Sequence, residues 1–292
     1  MDALLLLSHQ PAPPLAEFVS SLWTLSDSPQ HPRERIVPSG TIELVIDLTS
    51  DEFRIYDPLG LDAPARFSGA IVSGAYSRCF VIDTRQHASI IGVHFKPGGA
   101  FPFLGVSAAE LADSHVDLRA LWGRSADELR ERLCLASAPG DRFRILERAL
   151  TAHLFRPLVY HPKVALALRA FGRAEMGRGE IEPSVGEIAR CAGLSHRRFV
   201  EVFTTAVGMT PKLFSRVRRF QRAVALLRRA AHPSWPQLAL ACGYFDQSHF
   251  IRDFRVFSGL SPTDYVRQQS AGVKENHMPI VGEPSLLPPH RR

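Results

Sequence analysis

The chain has no Cys-x-x-Cys pair; its four cysteines, Cys79, Cys134, Cys191 and Cys242, are widely scattered. That spacing argues against a clustered-thiolate zinc site and fits a reduced, cytosolic setting. Cys191 and Cys242 fall on short helices among small apolar residues, and both are expected to be core thiols. Long apolar runs are missing as well. Leu4 to Leu7 is too brief for a signal or membrane helix and follows Asp2 rather than a basic stretch, so a cytoplasmic protein with no membrane partner is expected. Catalytic arrangements are equally scarce. Metal ligation on a strand face needs a close His-x-His pair with a nearby carboxylate, but His87 and His94 are seven apart and Glu110 lies far along. On a continuous strand those two imidazoles would even point to opposite faces. No Ser-His-Asp set or carboxylate pair stands out. The Gly98-Gly99 pair lacks the Lys or Ser/Thr that a phosphate-cradling loop requires, so it reads as a tight turn passing a strand into Phe101 to Leu104. No enzyme, metal or cofactor is expected.

What is present is a segment of about fifty residues that occurs twice. The first copy has Ala189, Gly193, Phe199, Phe203, Gly208, Pro211 and Phe214; the second has Ala239, Gly243, Phe250, Phe254, Gly259, Pro262 and Tyr265. The early marks recur with an offset of 50 and the later ones with 51, so one residue is inserted in the second turn. Gly193 and Gly243 can take the left-handed conformation that ends a short helix. Ser195 and Asp246 offer side-chain acceptors to start the next one. Phe199/Phe203 and Phe250/Phe254, four apart, put two rings on one face for packing and leave the opposite face free. Helix, tight turn, second helix, stop is the helix-turn-helix plan, whose second helix suits the major groove of double-stranded DNA.

Pro211 to Arg229 has no glycine or internal proline and carries Leu213, Phe214, Val217, Phe220, Val224 and Leu227 at helical spacing, which predicts one continuous helix between the copies. Residues 181–270 hold 13 Lys plus Arg against 6 Asp plus Glu, a net of +7, while the whole chain is +6 and the remainder therefore −1. The positive charge is concentrated on the repeat, as a phosphate-binding surface requires.

The segment from about Pro162 to Gln268 resembles the DNA-binding domain of the AraC/XylS family of bacterial transcription regulators. The most telling part is Ala239-x-x-x-Gly243-Tyr244 followed by Ser248-His249-Phe250, Phe254, Gly259, Ser261-Pro262 and Tyr265. The resemblance implies that each recognition helix enters one of two adjacent major-groove segments. Base-reading candidates are then His196, Arg197, Val200 and Glu201 in the first helix and Gln247, Ser248, His249 and Arg252 in the second. Arg can take guanine bidentately, Gln can pair with adenine and Glu can accept from cytosine N4. Glu201 could instead pair with a neighbouring Arg, and His249 could contact only phosphate. Arg198, Lys212, Arg216, Arg219 and Arg255 are candidates for the DNA backbone.

Towards the N-terminus the pattern turns to strands: Thr41 to Leu48, Phe53 to Tyr56, Ala70 to Ser73, Cys79 to Thr84 and Ser89 to Phe95, a set that suggests a sandwich or small barrel. Ser107 to Leu111, Ala126 to Leu135 and Asp141 to Phe155 carry helical patterning. Pro38-Ser39-Gly40 with Glu43-Leu44-Val45, and Gly92 to Val106, resemble an N-terminal domain found ahead of AraC-type readers, which implies a cupin-like sensor or dimerisation domain. The fold expected is α+β: a β-rich domain with packed helices over residues 1–160, then an all-α domain of two helix-turn-helix units joined by a long helix over 161–269. The Pro-rich tail 270–292 reads as disordered.

The function expected is sequence-specific transcription regulation under a small-molecule effector. A constitutive regulator whose N-terminal domain only forms a homodimer stays open, and a cupin-like enzyme fused to a DNA reader is the remote alternative. The resemblance implies activation, with RNA polymerase as a partner, more than repression.

Overall fold

The computed structural model describes residues 5–26, 31–84, 88–175, 183–229, 234–268 and 276–280. Ten strands come first: β1 (Leu5–His9), β2 (Val19–Ser26), β3 (Arg33–Ile36), β4 (Glu43–Asp47), β5 (Glu52–Asp57), β6 (Gly60–Ser68), β7 (Ala70–Ser73), β8 (Phe80–Asp83), β9 (Ser89–Phe95) and β10 (His115–Asp117). Around β10 run α1 (Phe101–Leu104), α2 (Leu118–Trp122), α3 (Arg124–Leu135) and α4 (Pro139–Ala152). Seven helices follow: α5 (Pro162–Glu175), α6 (Val185–Cys191), α7 (His196–Val207), α8 (Pro211–Leu227), α9 (Trp235–Ala241), α10 (Gln247–Ser258) and α11 (Pro262–Gln268). The chain then returns to the β-domain as β11 (His277–Pro279). Among the described residues no helix is long and apolar enough to cross a membrane.

The strands form two antiparallel sheets, ordered β1-β2-β9-β4-β7-β10 and β11-β3-β8-β5-β6. The first sheet is covered on both faces. Alternation along its strands sends Leu44, Ile46, Val72, Ile91 and Val93 into the main core with Leu129, Leu133, Leu146 and Leu150 of α3 and α4. The alternate residues, Trp23, Val45, Ile71 and Ile90, face the second sheet in two smaller clusters. Double coverage explains why Val45 and Ile90 are apolar on the parity opposite to Leu44 and Ile91. Gly92 is required by this packing, because a Cβ there would meet the Trp23 ring at 2.5 Å.

Several expectations are corrected. Phe101 to Leu104 is a helical turn closed by Gly105 at φ +73 rather than a strand, because Pro102 at the first turn suits a helix start and supplies no ladder donor. Ser107 to Leu111 forms tight turns: its backbone bonds run from i+3 to i, as in Glu110 N–H to the Ser107 carbonyl, and Asp113 at φ +52 stops propagation. Cys191 is exposed, whereas Cys242 is buried and burial pushes its thiol up to about 11. The tail read as disordered contributes β11, which pairs with β3 and buries Met278; its other residues, 270–275 and 281–292, lie outside the described residues, as does His87.

Helix α8 is the shared wall of the helical domain. Its Phe214 packs edge-on against Phe171 of α5 and Phe203 of α7, both at 5.5 Å. Its Phe220 meets Phe254 at 5.0 Å and Phe257 at 5.3 Å on α10. A buried Phe removed from either cluster costs about 3–5 kcal/mol, so α8 fixes both helix-turn-helix units against one rigid element.

The β-domain grips the helical domain at equivalent places. Gly208, the C-cap of α7, lies so near the β-domain that a Cβ would meet the Ala108 carbonyl at 2.9 Å, while Gly259, the C-cap of α10, faces the Cys79 sulfur. Gln221 of α8 donates to the Pro38 carbonyl, and Gly40 lies under Phe214 and Val217.

Candidate nucleic-acid interface

The two helix-turn-helix units are built by the local chemistry that the repeat suggests. In the first, Leu194 N–H reaches the Ala189 carbonyl at 3.0 Å; in the second, Tyr244 N–H reaches the Ala239 carbonyl at 2.9 Å. Gly193 and Gly243 take φ +67 and +80. The inserted residue is then plain: Phe245, exposed, stands between Tyr244 and the N-cap of α10 with no counterpart between Leu194 and Ser195. Ser195 Oγ accepts from Arg198 N–H at 3.3 Å, and Asp246 Oδ1 accepts from His249 N–H at 2.7 Å, so both caps form as expected. Phe199, Phe203, Phe250 and Phe254 are fully buried. With their C-terminal ends against the β-domain, α7 and α10 both leave their N-terminal turns exposed.

The base-reading candidates separate into three environments. His196 and Arg197 on α7, with Ser248 and Arg252 on α10, are exposed, while Val200 and Gln247 are half-buried. Neither Arg197 nor Arg252 has an ion pair among the described residues. Glu201 is paired with Arg198 at 3.0 Å, and the two line a crevice beside Tyr160 and Phe101 of the preceding domain. His249 turns inward, with Nε2 at 3.7 Å from Asp253 and its ring edge-on to Tyr244.

The backbone candidates divide as well. Lys212 and Arg255 are exposed. Arg216 is not on an open surface: Nη2 and Nε donate to the two carboxylate oxygens of Asp253 at 2.8 and 3.2 Å, and its guanidinium lies over Phe257. Arg219 donates to the Gly243 carbonyl at 3.2 Å and stacks over Tyr244, whose phenol burial pushes well above its ordinary range. Two arginines of α8 therefore tie the second unit to the shared helix. The sequence reading missed Asp253, which is buried between α8 and α10. Its signal was visible in retrospect, since it is the one acidic residue of α10 and adjoins Phe254 on the packed side.

Two family models match this chain: a domain of unknown function (DUF6597) over residues 7–117, and a helix-turn-helix domain over residues 188–268. Residues 188–268 are an AraC-type helix-turn-helix domain. The matched segment runs from α6 to α11 and so contains both units and the whole of α8. An uncharacterized HTH-type transcriptional regulator of Haemophilus influenzae is 31% identical over 86 residues, 30% of this chain and 28% of the relative. A probable transcriptional regulator of Photobacterium leiognathi, LumQ, is 34% identical over 82 residues, 28% of this chain and 33% of the relative. The chain thus spans about a third or less of the length of these curated relatives. Among solved structures, a variant of apo ToxT from Vibrio cholerae strain SCE256 aligns at a TM-score of 0.46 and 10% identity, over 84% of this chain and 97% of that one. The N-terminal β-domain and the AraC-type domain together make the α+β architecture that the sequence suggests.

Proposed function

We propose that the chain is a sequence-specific transcription regulator that reads two adjacent major-groove segments of double-stranded DNA through α7 and α10. The supporting observation is geometric: two capped recognition helices, exposed at their N-terminal turns, are fixed to one basic helix, within a segment, residues 181–270, on which the chain's positive charge is concentrated. Arg197 and Arg252 are the leading base readers, because both are exposed without a competing carboxylate. Ser248, His196, Gln247 and Val200 surround them. Lys212 and Arg255 meet phosphates, and Arg198 does so if its pair with Glu201 opens. Arg216 and Arg219 set the angle of the second unit.

The β-domain takes a small-molecule effector in this reading, and activation through RNA polymerase, homodimer formation and a cytoplasmic location belong with it. Selection of bound duplexes from a random pool, followed by affinity against salt for the winner and a scramble, tests the DNA reading. Two sequence blocks about one helical turn apart, bound far more tightly than the scramble, are expected. Equal and steeply salt-dependent binding to both duplexes would leave only a basic surface.

A further inference from the structure

The space between the two sheets has features that DNA reading does not use. It holds a cavity of about 90 Å³, walled by apolar side chains such as Phe53, Ile55, Ile71 and Ile82. Into it projects His115 of β10. Both ring nitrogens are buried and have no hydrogen-bond partner among the described residues, and the ring lies 4.7 Å from each of Tyr76 and Phe80. Burial holds this imidazole down at about 3, so it is neutral and offers one donor and one acceptor. A second unanswered group shares the cavity: the buried Oδ1 of Asn276, on a residue held at φ +67.

The charges at the walls are already matched. Glu43 meets His94 at 2.9 Å; Glu34, at the β3 edge, lies 2.6 Å from His31 and 2.5 Å from His277. Burial alone would raise the Glu34 carboxyl, but His277 and His31 outweigh it and hold it far below the ordinary range. A ligand ion would find no free counter-charge and would lose its hydration. A neutral molecule with a hydroxyl or amide would satisfy the unpaired groups, while its apolar part covers the walls.

Part of this wall comes from the far end of the chain. Asn276 and His277 follow the last helix of the DNA-reading domain. They are held by Val37 N–H to the Asn276 carbonyl at 3.0 Å and by Ile280 N–H to the Arg33 carbonyl at 3.1 Å.

We propose that the cavity binds a neutral, mainly apolar molecule whose hydroxyl or amide bonds to His115 and Asn276, and that β11 makes its occupancy and the docking of the helical domain one equilibrium. This rests on the reading of the β-domain as effector-binding. The ligand completes its contacts only when β11 is seated, so binding favours the docked state, and docking raises affinity by the same factor.

The test uses the full chain with 2-phenylethanol and benzamide as neutral probes, and benzoate and benzylamine as charged counterparts. Calorimetric titration is combined with hydrogen exchange at the Val37 and Ile280 amides. Saturable binding of a neutral probe, weakened about tenfold by His115→Phe and accompanied by slower exchange at both amides, is the result expected. Asn276→Gly supplies a second variant, since glycine suits its backbone conformation. No saturable binding of either neutral probe, tighter binding of the charged pair, or binding without a change in exchange overturns the proposal. Operator selection is read separately: a recovered operator with no probe binding overturns this site and leaves the DNA reader standing, whereas probe binding and protected amides without an operator support the site and overturn the reader.

Discussion

Asp253 of α10 accepts two hydrogen bonds from Arg216 of α8, at 2.8 and 3.2 Å, with only 3% of the acid's side chain exposed. The pair joins the second recognition helix to the element that also carries the first. In the proposed reading the pair sets the position of α10 against α8.

Asp253→Ala should therefore lower stability by about 2 kcal/mol, the scale of charged hydrogen bonds lost from a buried acceptor. Sequence preference should relax at the block read by α10 and persist at the block read by α7. Thermal unfolding and half-site competition check this; equal loss at both blocks would count against a local role.

Arg197→Ala and Arg252→Ala should each cost about 1–3 kcal/mol on the selected site and relax one base position, without moving the unfolding transition. Arg219→Ala should weaken binding to all sequences and also lower the unfolding midpoint, because its guanidinium holds the Gly243 turn. A profile for Arg219→Ala that matches those two variants would move it from the turn to the base edges.

Gly208 and Gly193 both have positive φ, +83 and +67, but only Gly208 has a backbone carbonyl at 2.9 Å from a hypothetical Cβ. Around Gly193 the nearest atom is the flexible Lys163 ammonium at 3.8 Å. Gly193→Ala should cost about 1–2 kcal/mol from backbone strain. Gly208→Ala should cost more, because the interface with Ala108 must also shift. Chemical denaturation of the two variants reads the difference, and equal costs would mean that the domain contact yields freely.

His115 gives a pH dependence whose sign follows from its neutral state. Burial lowers its folded value to about 3 from 6.5, so the unfolded chain takes a proton that the fold refuses. The contribution is fully present above about 6.5 and declines as pH falls towards 3, by at most about 1.4 kcal/mol per unit. Between about pH 7 and pH 5 the wild type should lose more stability than His115→Phe. Parallel denaturation curves for the two would place the unfolded-state proton elsewhere.

Local chemistry was legible in the sequence where a feature depends on neighbours. Ser195 and Asp246 announce their caps, Phe199/Phe203 and Phe250/Phe254 their packed faces, and the shift from 50 to 51 locates Phe245. β4, β5, β7, β8 and β9 were readable from β-branched residues between turns. β3 was not, since Arg33-Glu34-Arg35 looks like solvated chain until Glu34 finds His277, 243 residues away. The inward turn of Arg216 was hidden for the same reason: a cation on an amphipathic helix reads as surface until its carboxylate, 37 positions later, is placed beside it. Cys191 was misplaced because small neighbours permit burial without requiring it.

The last described strand also bears on how the protein is made. β11 supplies the outer edge of the second sheet, yet it is synthesised after every helix of the AraC-type domain. During synthesis the N-terminal β-domain folds first with β3 as a bare edge, a state that invites pairing with another chain. β11 then seals that edge, so a fragment ending before residue 276 should self-associate even though each of its own strands is complete.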